Sequence, residues 1–162
     1  MTHLDSLDAF SLQFWIPVGV SIVCGAIVGF ERQLRGKPLD VRTAVLVCLG
    51  TNVYIRLGVV ISGEHVDTMR ILGQVVTGIG FLGAGVIFNR GAHVQGLTTA
   101  AVVWTLAAIG AAIGFDRYSA AIALSLVVFL VLNALEWFEN RVEMMRRGAH
   151  AHDDREHRER RL

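Results

Sequence analysis

Short charged segments divide this sequence into five long apolar stretches. Residues 12–30, 71–88, 97–115 and 119–135 contain no Asp, Glu, Lys or Arg, and residues 44–63 contain only Arg56. A helix that spans a membrane needs about 20 mostly apolar residues, whereas a soluble helix of that length has a polar stripe with a period of 3.6 residues. The stretches lack such a stripe. They predict an all-α, polytopic membrane protein with five transmembrane helices at about residues 12–30, 44–63, 71–88, 97–115 and 119–138.

The placement of basic residues predicts the orientation of these helices. Most of the 15 Lys and Arg residues lie in segments 31–43 and 89–96 and after residue 137. Because cytoplasmic loops are enriched in Lys and Arg, we expect residues 1–11 to be extracytoplasmic and the charged, His-containing tail, residues 139–162, to be cytoplasmic. With only 18% charged residues and a net charge of +1, the chain is not typical of nucleic-acid-binding proteins.

Glycines within the apolar stretches are the next feature. Gly78, Gly80 and Gly83 match the dinucleotide-binding pattern G-x-G-x-x-G, but that pattern requires a preceding strand, so we reject it. Small residues let membrane helices approach closely. We therefore predict helix packing, with the third helix central, at these glycines: Gly25, Gly29, Gly78, Gly80, Gly83, Gly85, Gly110 and Gly114. The alternative is a helix broken near residues 78–85 that forms a polar intramembrane site, to which Asn52, Gln74 and Thr77 would contribute.

Charged and reactive residues suggest no enzyme. Arg56 is the one charge within the five apolar stretches; we expect it to reach the outer interface or to pair with Glu64 or Asp67, and a functional intramembrane role is the alternative. The outer carboxylates are scattered and no catalytic motif is present, so no cofactor is expected. The tail residues His150, His152, Asp153, Asp154 and His157 could bind a metal ion, although we expect a solvated tail. Cys24 and Cys48 are predicted to be inert core thiols.

Three motifs in the correct order resemble the MgtC/SapB family: residues 29–37 (GFERQLRGK) followed by Arg42 and Thr43, residues 70–90, and residues 94–110 around Trp104. The resemblance marks candidate residues at three places. The first cytoplasmic loop has Glu31, Arg32, Arg35, Lys37, Arg42 and Thr43. The outer edge of the third helix has Asp67 and Arg70. The second cytoplasmic loop has Asn89, Arg90, Thr98 and Thr99. We expect Glu31 and Asp40 to pair with Arg32, Arg42 or Arg90.

The resemblance implies a bacterial inner-membrane protein linked to adaptation to low magnesium and to virulence, here in a short form without the ACT-like C-terminal domain. Family members are thought to restrain the F-type ATP synthase, and many are labelled magnesium transporters. Two hypotheses follow. The first is a non-enzymatic regulator that binds another copy or another membrane protein through small-residue helix faces. The second is a small transporter of Mg²⁺ or another ion, with its polar site at the third helix. Mg²⁺ would be the sensed or transported ion.

Overall fold

The computed structural model describes residues 10–62, 67–90, 93–134 and 137–138. It contains five helices and one short hairpin within these ranges: α1 (Leu12–Leu34), α2 (Val41–Ser62), α3 (Thr68–Gly85), β1 (Phe88–Arg90), β2 (His93–Gln95), α4 (Leu97–Gly114) and α5 (Tyr118–Ala134). The chain divides into two units after Val127, and every contact below belongs to the first.

Polar residues at the predicted boundaries begin the helices. Ser11 caps α1 by accepting a hydrogen bond from the backbone N–H of Phe14 at 3.3 Å. Asp67 caps α3 in the same way, accepting from the N–H of Met69 at 2.9 Å. Such caps satisfy backbone donors that have no partner within the helix. The first turn after α1 contains Gly36 in the left-handed region, with φ 62°.

Three helices are long and apolar enough to cross a membrane by their length and composition: Leu12–Leu34, Val41–Ile61 and Leu97–Gly114. Large apolar side chains point outward over much of the described chain; Phe81 is 81% exposed and Ile61 is 79% exposed. A soluble protein rarely exposes so much apolar surface. The fold is therefore predominantly helical and membrane-like, as the sequence predicts.

Helix α2 lies at the centre of the first unit. It packs against both α1 and α4, while α3 contacts mainly α4 and has a smaller contact with α2. The buried side chains that join these helices include Val28, Ile55, Leu106, Ile109 and Ile113. The prediction that the third helix is central is wrong. The second helix has that position, because its two neighbours both present glycines to it.

Two further expectations need correction around α3. The helix is continuous from Thr68 to Gly85, so the predicted break does not occur. It ends before residue 88, and an antiparallel hairpin pairs Phe88 with Gln95 and Asn89 with Val94, so the chain is not purely helical. Gly96 then begins α4 with φ 92°, and its backbone is packed against Val86 so closely that a Cβ would overlap the Val86 carbonyl.

Several predictions lie outside the described residues. These are the N-terminal segment 1–9, Glu64 as a partner of Arg56, the tail 139–162 with its His and Asp residues, and the side chain of Arg90.

Candidate functional site

Gly25 and Gly29 place α1 directly on α2. A Cβ atom built on Gly25 would lie 2.7 Å from the Cα of Val45, and one on Gly29 would lie 2.7 Å from the Cα of Val41. Real Cβ atoms do not approach backbone atoms so closely. The G-x-x-x-G pair of the first helix is thus occupied by the chain's own second helix.

Gly110 and Gly114 make the equivalent contact from α4. A Cβ on Gly110 would overlap the backbone carbonyl of Cys48, and one on Gly114 would lie 2.6 Å from the Cβ of Ile55. Both glycines are buried. The glycine pair of α1 therefore packs against α2 near residues 41–45, and that of α4 packs against α2 near residues 48–55.

The glycines of α3 are placed differently. Only Gly83 has a neighbour, Ala100 of α4, whose Cβ would lie 3.8 Å from an added Cβ; Gly78, Gly80 and Gly85 would meet nothing within 4 Å. Their close-packing role within one chain is consequently limited to Gly83. Among the described residues, no atom occupies the space beside Gly78, Gly80 and Gly85.

One side of α3 is lined by small residues at helical spacing. Gly73, Thr77, Gly80 and Ala84 are all exposed and recur at intervals of four, three and four residues, which places them on one face. The hydroxyl of Thr77 donates to the Gly73 carbonyl at 2.9 Å, so its polar atom is used within the helix. We call these four residues the small-residue face.

A buried polar pair joins α1 and α2. The side-chain amide of Asn52 donates to the Ser21 hydroxyl at 3.1 Å, and that hydroxyl donates to the Pro17 carbonyl at 2.8 Å. Ser21 and Asn52 are at most 1% exposed, and the Asn52 Oδ1 has no hydrogen-bond partner among the described residues. Ser21 was not singled out in the sequence, although a serine in an apolar helix always needs such a partner.

The residues proposed for an intramembrane polar site do not come together. Asn52 is buried beside α1, whereas Gln74 and Thr77 are exposed on α3. Cys24 and Cys48 are free thiols, fully buried next to the Asn52 pair. Within the described ranges no group of three or more His, Cys, Asp or Glu residues could hold a metal ion.

Arg56 forms an ion pair at the turn between α4 and α5. Its Nη1 lies 2.6 Å from Oδ1 of Asp116, which also accepts a hydrogen bond from the Tyr118 hydroxyl at 2.6 Å. The partner is therefore Asp116 rather than Asp67. Asp116 has φ 59°, a conformation that Asp tolerates better than most residues. Its place in a short turn between two apolar stretches was the available sequence signal.

Charged residues at the opposite end of the unit are partly buried. Glu31 is 3% exposed, and its Oε1 lies 2.5 Å from the Nε of Arg35. Arg32, 4% exposed, reaches across to the first turn of α4, where its Nη2 lies 3.5 Å from the hydroxyl of Thr99. Glu31 was expected to pair with Arg32, Arg42 or Arg90. Its ion pair is with Arg35 instead, because residues four apart share a helix face. The Arg32–Thr99 contact joins α1 to α4.

The other residues marked by the resemblance are on the surface: Lys37, Arg42, Thr43, Asp67, Arg70, Asn89 and Thr98. Asp40 caps α2 by accepting from the backbone N–H of Thr43 at 2.8 Å, and its Oδ2 lies 3.9 Å from the Nε of Arg42. Hydrogen bonding to the Thr43 side chain and backbone holds the pKa of the Asp40 carboxyl below its usual value. The sequence signal missed here was Asp40 itself, because an Asp directly before an apolar run is a preferred N-cap residue.

A groove of about 910 Å³ runs between α2 and α3. Arg70, Gln74 and Gly78 line it from α3, and Thr43, Gly50 and Tyr54 line it from α2, together with apolar residues of both helices. It is the point at which four residues from the sequence predictions, Thr43, Arg70, Gln74 and Gly78, come together. A smaller cavity of about 310 Å³ lies between α3 and α4.

Comparison with known proteins agrees with the motifs placed above. The MgtC family model matches residues 18–141, most of the chain. This chain belongs to the MgtC family. The resemblance found in the sequence motifs is thereby confirmed.

Three relatives illustrate the similarity. YhiD of Escherichia coli K12, named a putative magnesium transporter, is 46% identical over 119 residues, which cover 69% of this chain and 55% of that protein. MgtC of Brucella abortus 2308 is 39% identical over 128 residues, covering 75% and 53%. MgtC of Salmonella typhimurium LT2 is 40% identical over 108 residues, covering 67% and 46%. The chain thus spans about half the length of these curated relatives. No solved structure matches it.

Proposed function

We propose that the chain is a multi-pass protein of the bacterial inner membrane, with five spans, an outer N-terminus and a cytoplasmic C-terminus. The excess of Lys and Arg in residues 31–43 and after residue 137 supports this orientation. So does the position of the Arg56–Asp116 pair, which would lie at the outer headgroup level, where an Arg and its carboxylate are least costly.

We propose further that it acts in magnesium homeostasis as a non-enzymatic regulator. Membership of the MgtC family and the names of the relatives support the physiological setting. One observation favours a regulator: within the described residues, nothing lies within 4 Å of a Cβ added to Gly73 or Gly80 of the small-residue face, while the glycine pairs of α1 and α4 are filled by α2. Such a face is suited to close packing with a helix of a second protein, and the F-type ATP synthase is the partner that the family resemblance suggests.

A transporter of Mg²⁺ is the second candidate. Gln74, which supplies an amide oxygen, lines one end of the α2–α3 groove together with the hydroxyl group of Tyr54, and Thr43 supplies a hydroxyl group farther along it. Oxygen ligands are those that Mg²⁺ prefers, and the E. coli relative is named a putative magnesium transporter. On this proposal the groove would be part of an ion path.

The experiment combines rescue and flux. The chain is expressed in a bacterium that lacks its own MgtC-family protein, growth is measured at low Mg²⁺, and the purified protein is tested for Mg²⁺ uptake in liposomes. A regulator restores growth without flux. Flux in oriented liposomes would overturn the regulator and support the transporter.

Variants of the exposed glycines test the proposed contact surface. Gly80→Leu adds a side chain to the small-residue face, at a place where an added Cβ meets nothing within 4 Å. Gly19→Leu is the matched control, because a Cβ added there, on α1, also meets nothing within 4 Å. We expect Gly80→Leu to abolish rescue and Gly19→Leu to preserve it, at equal protein levels. Rescue by both variants would refute a role for this face.

A further inference from the structure

The α2–α3 groove changes from polar to apolar along its length. Ile71 lies against Gly58 of α2, so the beginning of α3 is level with the later part of α2. Arg70, Tyr54 and Gln74 consequently lie towards the same end of the groove. Farther along, the lining is mainly apolar, with Leu46, Val47, Val75, Ile79 and Leu82, interrupted only by the hydroxyl groups of Thr51 and, at the far end, Thr43.

The polar end offers a cation that no described residue neutralises. Arg70 is exposed and lines the groove, and none of the described residues forms an ion pair with its guanidinium. Its fixed fork of donors matches the oxygens of a phosphate better than an ammonium group does. The amide of Gln74 follows one turn farther along the groove.

The length of the groove corresponds to one leaflet of a bilayer. From Arg70 to Leu82 the helix rises by about 18 Å at 1.5 Å per residue. Half of a hydrocarbon core of about 30 Å is about 15 Å. A molecule with a phosphate at the Arg70 end would therefore have room for an acyl chain along the apolar part.

We propose that the α2–α3 groove binds a membrane phospholipid. The phosphate is held by Arg70, the Gln74 amide lies near the ester groups, and an acyl chain lies between α2 and α3 beside Gly50 and Gly78. A phospholipid combines an anion with a long apolar chain, which is the order of chemistry along the groove. A protein helix in the same groove would need a carboxylate directly opposite the guanidinium of Arg70.

Glycines make the proposal testable without disturbing the fold. An added Cβ on Gly78, which lines the groove, meets nothing within 4 Å; the same holds for Gly80, two residues later on a different side of α3 and outside the groove. Leucine at residue 78 would fill the lipid's space, whereas leucine at residue 80 would not. Gly50→Leu provides a second groove-filling variant, from α2.

The experiment is native mass spectrometry of the full chain purified in mild detergent. Delipidated protein is titrated with phosphatidylglycerol and with a diacylglycerol that has the same acyl chains but no phosphate. We expect wild type to retain a single phosphatidylglycerol, and Arg70→Gln and the diacylglycerol each to weaken binding about tenfold, because a hydrogen bond to a charged group is lost. Gly78→Leu and Gly50→Leu should abolish binding, while Gly80→Leu should leave it unchanged.

Three results would overturn the proposal. Equal binding of the two lipids would remove the phosphate contact, and unchanged binding in Gly78→Leu and Gly50→Leu would place the lipid elsewhere. A change in oligomeric state on filling the groove, without a change in lipid binding, would identify a second copy as the occupant. Growth rescue at low Mg²⁺ and the Gly80→Leu variant report on the proposed function separately, so either proposal can fail alone.

Discussion

The contact between α4 and α2 gives the sharpest test of this fold, through Gly110→Ala. The added Cβ would overlap the Cys48 carbonyl and lie 2.8 Å from the Cβ of Thr51. A carbonyl on a helix backbone cannot rotate away. To bring the Thr51 contact alone to about 3.5 Å, α4 would have to move about 0.7 Å from α2, and the closer Cys48 carbonyl requires a larger shift.

The expected loss of stability follows from two opposing effects. Overpacking of this kind costs about 1–3 kcal/mol, and replacing Gly by Ala within a helix returns up to about 1 kcal/mol. Because the overlap is with a backbone carbonyl that cannot rotate away, we expect the upper part of the overpacking range, about 2–3 kcal/mol, and hence a net loss of about 1–2 kcal/mol. Gly80→Ala on α3 gains the same helix propensity without overlap, so it should be neutral or stabilising by up to about 1 kcal/mol.

The chain contains its own reporter for this measurement. Its two cysteines, Cys24 and Cys48, are free and fully buried, so a thiol-reactive fluorogenic dye reports unfolding in detergent. We expect Gly110→Ala to lower the midpoint temperature by about 2–8 °C and Gly80→Ala to leave or raise it. If Gly110→Ala melts no lower than wild type, or if Gly80→Ala melts equally low, the assignment of these two helix faces is refuted.

Three further predictions use the same thermal assay. A double-mutant cycle with Arg56→Gln and Asp116→Asn should give a coupling of only about 0.5–1 kcal/mol, since the carboxylate is 64% exposed; zero coupling would contradict the pair. Arg35→Gln should destabilise by about 1–3 kcal/mol, because buried Glu31 loses the closer of its two cationic neighbours while Arg32 still interacts with it. Adding Glu31→Gln should restore part of the loss; no restoration would argue against the pair. Asp40→Ala should destabilise the protein at neutral pH. Because the folded-state pKa of Asp40 is lowered, its carboxylate stabilises the fold above the unfolded pKa of about 3.9, and this effect is lost as the pH falls through the folded-state pKa. A difference between the variant and wild type that persists at pH 2 would refute the cap.

The helices could be predicted from the sequence because charged residues mark their ends. Lipid-facing helices need unbroken apolar length, and that length is directly visible in the order of residues. The hairpin could not be predicted, since three-residue strands have no measurable alternation. The partner of Arg56 was also beyond reach, because Asp116 is 60 residues later and nothing in the order of residues fixes which turns adjoin.

The central position of α2 shows why glycine counts mislead. The third helix has more glycines than its neighbours, which suggested that it is surrounded by other helices. A glycine, however, only permits close approach; it does not create a neighbour. The structure places the glycines of α1 and α4 against α2, whose own contacts are made by backbone and small side chains at Val45, Cys48 and Thr51.

The glycines of α1 and α4 contact α2, whereas Gly80 of α3 is exposed, and this difference decides which substitutions can separate folding from partner binding. Bulky replacements at Gly25, Gly29, Gly110 or Gly114 collide with α2, so a loss of association in such variants would reflect an altered fold as much as a lost partner. A Cβ added to Gly80 meets no atom of the described residues within 4 Å, so its replacement should change mainly the exposed surface of α3. A variant there that keeps its melting temperature but loses low-Mg²⁺ rescue isolates the partner contact, whereas one that keeps both excludes the small-residue face as that contact.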